Sequence, residues 1–113
     1  STCVTAMNME ADAIVCYTHT GDSARRIAGL GAGCPILAIT DNRRTFNQLA
    51  IAWNVTPIYV EKKDSIDEVV EAGIEKLKSK GILEKGDMVV VAGGAKWLAS
   101  AEDSKIIGGI AKI

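Results

Sequence analysis

Four short apolar runs recur along the chain, at Ala13–Tyr17, Ile36–Thr40, Thr56–Val60 and Met88–Ala92, and the stretches between them carry helical periodicity. Ala13–Tyr17 is uninterrupted in hydrophobicity, as expected for a strand covered on both faces. Pro35 introduces the second run, and Met88–Ala92 (MVVVA) is the most β-branched. Pro57 lies near the start of the third, a position that suits an edge strand because proline cannot donate to a ladder.

The intervening segments read as helices. Ser23–Leu30 points Ala24, Ile27 and Ala28 inward and is closed by Gly29, Gly31 and Gly33. Thr40-Asp41-Asn42 offers caps for a helix running to about Trp53, with Phe46, Leu49, Ala50 and Trp53 at i, i+3, i+4 and i+7. That spacing makes Trp53 a core residue, and Asn54 suits the left-handed position after a helix. The next helix opens with a capping box, Ser65 and Glu68. It shows an apolar face of Ile66, Val69, Val70, Gly73, Ile74 and Leu77, then Lys76, Lys78 and Lys80 where positive charge complements the helix dipole, and it stops at Gly81. Ser1–Asp12 reads as the end of a helix, with Val4, Met7 and Ala11 on one face and no cap ahead of it, which suggests a fragment of a longer protein. Ala95–Ser104 is irregular, and a last strand is expected over about Lys105–Ile113, weakened by Gly108-Gly109 into a bulge or an edge.

Short strands alternating with helices predict a parallel sheet with helices on both faces. Such sheets bind ligands outside the carboxyl ends of their strands, where the strand order reverses. With the first strand central, the loops Thr18–Ser23 and Gly93–Asp103 flank that crevice.

Composition narrows the function. At 113 residues, with 48% apolar and 24% charged residues, the chain suits one folded domain over 1–113. A net charge of −1 and 4% aromatic residues give neither the basic surface nor the stacking platform of a nucleic-acid binder. The longest apolar runs are too short to cross a bilayer and no leader opens the chain, so a soluble, cytoplasmic domain with no membrane partner is expected. Cys3, Cys16 and Cys34 lack metal-ligand spacing and form an odd set, which argues for free thiols in a reducing compartment, Cys16 within the core.

Candidate chemistry concentrates in VCYTHTGDSARRIAG, Val15–Gly29. Here a strand runs through a hydroxyl-rich loop into a helix, whose first N–H groups lack partners within the helix and favour anions. Thr18, Thr20 and Ser23 add hydroxyls, and Gly21 permits a tight turn or close approach by a ligand. A turn that needs only a glycine and a cap explains the same residues, with Asp22 as that cap. His19 is either an anion or pH contact or an ordinary loop histidine. With one histidine, no nucleophile–base pair and no clustered metal ligands, no catalytic residue is assigned.

Three ordered segments, AIVCYTHTGDSARRIA, CPILAITDNRRTFNQLAIAWNVTPIYV and GDMVVVAGG, resemble the C-terminal domain of pyruvate kinase, the match running through about Ala92. The resemblance implies a three-layer α/β/α sandwich around a five-stranded mixed sheet of order 3-2-1-4-5, strand five antiparallel. It implies the regulatory and inter-subunit domain of a homotetrameric glycolytic enzyme that transfers phosphate from phosphoenolpyruvate to ADP. Catalysis, with Mg2+ and K+, belongs to a barrel outside this chain, and the domain itself carries no cofactor. In members activated by sugar bisphosphates the loop after strand one grips a phosphate, which puts Thr18, His19, Thr20, Gly21, Asp22 and Ser23 at effector positions. Lys96 and Trp97 lie in the region comparable to the loop that closes over the sugar. Asp22, Glu102 and Asp103 bring negative charge to this site, and AKWLASAEDSKIIGGIAKI replaces the family's Gly/Ser/Thr-rich stretch before the last strand. The implied partners are a phosphorylated small molecule, the rest of a pyruvate kinase chain and further copies of the same chain, with Asn42–Trp53 and the last strand as subunit contacts. The alternatives are a purely structural domain for oligomerisation and a free-standing relative without a ligand.

Overall fold

The computed structural model describes residues 10–31, 33–92, 106–107 and 110–113. The helix expected over Ser1–Asp12 lies outside them except for its last three residues, which form a turn into the first strand. The elements are β1 (Ala13–Tyr17), α1 (Asp22–Gly29), β2 (Ile36–Thr40), α2 (Arg43–Leu49), β3 (Val55–Tyr59), α3 (Ile66–Ser79), β4 (Met88–Ala92), β5 (Ile106–Ile107) and β6 (Ile110–Lys112).

Strands β3, β2, β1 and β4 lie side by side, all parallel, with Val15 opposite Leu37 on one side and Val91 on the other. Pro57 sits in β3, at one edge, opposite Ala38. Beyond β4 the expected architecture is corrected. There is no five-stranded sheet of order 3-2-1-4-5 closed by one antiparallel strand. The body is a four-stranded parallel sheet of order 3-2-1-4, and the chain end forms two short pieces, β6 antiparallel to β4 and β5 antiparallel to β6. Glycine accounts for the difference: Gly108-Gly109 stands between Ile107 and Ile110, which pair with each other. Two glycines are what a two-residue hairpin connection favours, and they weaken a continuous strand. Residue 113 fastens the end of the chain, its N–H donating to the Asp87 carbonyl at 2.8 Å and its carbonyl accepting from Gly86 N–H at 2.7 Å.

Alternate residues of each strand face opposite sides, so both faces of the sheet are buried. On one face Val15, Leu37, Ile39, Val89 and Val91 pack against Val69, Val70, Ile74 and Leu77 of α3. On the other, Ile14, Cys16, Ile36, Ala38 and Val90 pack against Ala24 and Ile27 of α1 and Leu49 of α2. Gly73 lets α3 lie flat on the sheet, since a Cβ there would collide with the Ile39 side chain.

Two helices differ from their expected form. Helix α2 ends at Leu49 rather than near Trp53, and its buried residues are Thr45 and Leu49. Ala50 and Trp53 are exposed, and Phe46 is half-buried. The apolar count misplaced the face because the inner residue one turn before Leu49 is a threonine, whose hydroxyl has a specific partner. Asn54 does adopt the left-handed conformation, with φ of 57°. In α3 the Ser65 hydroxyl accepts from Glu68 N–H at 3.2 Å, but Ile66 at the first position faces solvent.

Candidate functional site

The loop after β1 leaves the carboxyl edge of the sheet beside β4, where the strand order reverses. Thr18 extends the ladder one residue past β1, donating its N–H to the Ile39 carbonyl at 3.0 Å. Its buried hydroxyl accepts from Gly21 N–H at 2.8 Å. Gly21 precedes α1 with φ of 93°, a left-handed conformation that a side chain makes costly. A Cβ at this position would also press on the Arg25 guanidinium.

The rest of the loop is tied mainly to itself. Asp22 N–H donates to the Thr20 hydroxyl at 3.3 Å, and Arg25 Nη1 donates to the Thr20 carbonyl at the same distance. The His19 carbonyl accepts from the Thr45 hydroxyl at 2.6 Å, which anchors the loop to α2. Asp22 does not cap the helix. It occupies the first helical position, exposed, with a carboxylate oxygen 3.6 Å from Arg25 Nη1, while Gly21 holds the cap position with no side-chain bond. Ser23 follows on the exposed first turn.

Thr18, His19, Thr20, Gly21, Asp22 and Ser23 are therefore brought together in one turn, over which the Arg25 guanidinium pairs with the Asp22 carboxylate. An arriving anion would compete with Thr18 and Thr20 for the N–H groups of Gly21 and Asp22. Lys96 and Trp97, with Glu102 and Asp103, lie outside the described residues.

A neighbouring cleft of about 490 Å³ opens along the carboxyl ends of β1, β2 and β3, with His19 on its rim. Tyr17 donates its hydroxyl to Asp41 Oδ1 at 3.2 Å, and His19 Nδ1 stands 3.8 Å from the same oxygen. Burial, then the charge of Asp41 and its hydrogen bond, push the Tyr17 hydroxyl above its ordinary pKa of 10. Burial alone pushes the Cys16 thiol up to about 12, so this cysteine stays protonated. Arg43 lies 3.9 Å over the Tyr59 ring, a cation–π contact that fixes one positive charge at the cleft.

From the sequence Asp41 is only a cap candidate, and Thr45 and Tyr17 have no assigned role. In the structure Asn42 is the cap, its side chain accepting from Arg44 N–H at 3.0 Å and Thr45 N–H at 3.3 Å. Asp41 turns instead toward Tyr17 and His19. The available signal was its place directly after a strand, at the carboxyl edge. Among the described residues no group of three or more His, Cys, Asp and Glu could hold a metal ion, and no helix is long and apolar enough to cross a membrane.

A family model described as "Pyruvate kinase, alpha/beta domain" matches residues 1–104. A pyruvate kinase of Clostridium acetobutylicum is 38% identical over 93 residues, covering 82% of this chain and 20% of that protein. A pyruvate kinase of Thermotoga maritima is 32% identical over 87 residues, covering 77% and 19%. Among solved structures, a pyruvate kinase from Cryptosporidium parvum superposes with a TM-score of 0.74 at 24% identity, covering 84% of this chain and 19% of that one, a likeness of fold. The chain spans about one fifth of the length of these curated relatives.

Proposed function

The chain belongs to the pyruvate kinase alpha/beta domain family, its C-terminal domain, and we propose that it serves such an enzyme as a regulatory and inter-subunit domain. In this reading the parent enzyme transfers phosphate from phosphoenolpyruvate to ADP in the cytoplasm during glycolysis. Its Mg2+ and K+ belong with the catalytic barrel, and this domain supplies a site for a phosphorylated small molecule at Thr18–Ser23, closed by the segment that holds Lys96 and Trp97.

One observation carries the proposal: the hydroxyl-rich loop enters α1 at the carboxyl edge, next to the reversal between β1 and β4. Backbone N–H groups at a helix start favour a phosphate, and Arg25 adds a positive charge over the same turn. Binding would exchange the Thr18 and Thr20 hydroxyls for phosphate oxygens as acceptors and would move the Asp22 carboxylate aside.

A second reading, assembly without a ligand, is favoured by that internal closure, because the loop leaves the Gly21 and Asp22 N–H groups satisfied. A melting-temperature screen of sugar phosphates and nucleotides separates the two. A ligand at about 100 times its Kd stabilises the native state by about 2.7 kcal/mol. Ser23→Ala and Arg25→Ala should then abolish the shift while the unliganded protein keeps its fold. No shift at millimolar ligand with a folded sample leaves the assembly role alone.

A further inference from the structure

Charged groups that the fold leaves uncommitted gather at the open edge of β3, away from the hydroxyl turn. A groove of about 410 Å³ runs there between α2 and α3, where Arg43, Tyr59, Glu61, Lys63, Ala72 and Lys76 line it. None of Thr18, Thr20, Gly21, Asp22 and Ser23 reaches it. Arg43 lies 3.9 Å over the Tyr59 ring and 5.6 Å from the centre of Phe46, and the two rings brace each other edge to face at 6.3 Å. Such a contact holds a guanidinium by its flat face and leaves the N–H donors around its rim free. Among the described residues no acceptor meets them, and none meets the Lys63 ammonium.

Lys76 reaches the same groove from α3 and donates to the Tyr59 carbonyl at 2.8 Å. An ammonium has three donors, so two remain. A further strand is a poor occupant of this edge. Pro57, midway along β3, has no N–H to offer, and Lys76 already fills the Tyr59 carbonyl. Glu61 offsets one of the three cations, so a ligand with two negative charges brings the groove to neutrality.

We propose that Arg43, Lys63 and Lys76 form an anion site separate from the Thr18–Ser23 turn, which takes a small oxyanion of two or more negative charges, a phosphate ester or a dicarboxylate. Arg43 supplies a planar fork that matches two oxygens of one group, and the lysines balance the remaining charge. The site shares no residue with the effector reading, so either can fail without the other.

Amine acylation of the natural polypeptide that carries these residues, read lysine by lysine by mass spectrometry, provides the test. Pyrophosphate at about 10 mM fills about nine tenths of a site of millimolar affinity and should slow acylation of Lys63 about tenfold. The reference is Lys80, exposed at the end of α3. Succinate is the carboxylate arm, and protection by either anion supports the site and ranks the two chemistries. Arg43→Met keeps a flexible side chain over the rings and should abolish the protection. Ser23→Ala, in the hydroxyl turn, should leave it whole. Equal protection by sodium chloride at the same ionic strength overturns the proposal, because that is screening alone. Protection that survives Arg43→Met or vanishes in Ser23→Ala overturns it too, as does an unchanged Lys63 rate with both anions.

Discussion

The two edges of the parallel sheet differ in what their turns expose. At the carboxyl edge, side chains close the backbone: Thr18 for Gly21, Thr20 for Asp22, Asn42 for Arg44 and Thr45, and Ser65 for Glu68. At the amino edge Asp12 and Asp87 likewise close the backbone, for Met88 and Glu84, but the turns after α1 and α2 also carry Leu30, Ile51 and Trp53, apolar and bare. Polar groups satisfied within the domain carry no penalty that a partner must relieve. Exposed apolar area gains nothing from water and is stabilised only by another surface. The difference gives the two edges different surfaces, hydroxyl-rich and internally bonded at one and partly apolar and exposed at the other.

Both edges hang on the same core, which sets the scale for disturbing either. Leu77→Ala, beneath α3 and remote from both edge loops, should cost about 2–5 kcal/mol of unfolding free energy in urea titrations. Thr45→Val keeps the shape of the buried side chain but removes the donor to the His19 carbonyl, and should cost about 1–3 kcal/mol. If Thr45 anchors the loop, the same variant should raise hydrogen exchange at residues 19–22 more than at β4. Ser65→Ala removes a helix cap and should cost about 1 kcal/mol, with exchange rising only in the first turn of α3. Ile51→Lys should change the stability of the isolated domain by no more than about 0.5 kcal/mol, as for an ordinary surface site. A loss near that of Leu77→Ala would mean that this domain's own residues already cover the amino edge, and the contrast between the edges would fail.

Much of this was legible in the sequence because it is local. Continuous apolar runs located β1, β2 and β4, since a strand buried on both faces admits few polar residues. Ser65 followed by Glu68 marked the start of α3, Gly21 marked a tight turn and Asn54 a left-handed position. The hydroxyl-rich turn was visible for the same reason, as its bonds span only two or three residues.

Other features depended on contacts distant in sequence. Thr45 meets His19 across 26 positions and Tyr17 meets Asp41 across 24, and no spacing rule pairs such residues. Periodicity marked Phe46, Leu49, Ala50 and Trp53 as one face, yet only Leu49 of these is buried, because the inner face of the helix runs through Thr45 and Leu49 and the helix ends there. The last strand is expected over about Lys105–Ile113 with a bulge or edge at Gly108-Gly109, and the pairing of Ile106–Ile107 with Ile110–Lys112 decided that it forms two short pieces instead. By itself the sequence determined where the parallel strands and the hydroxyl turn lie, because steric, capping and turn preferences act over a few residues. Only the tertiary structure decided which atoms complete that turn, how the sheet ends and which apolar residues stay exposed, because those outcomes depend on surfaces that distant segments form together.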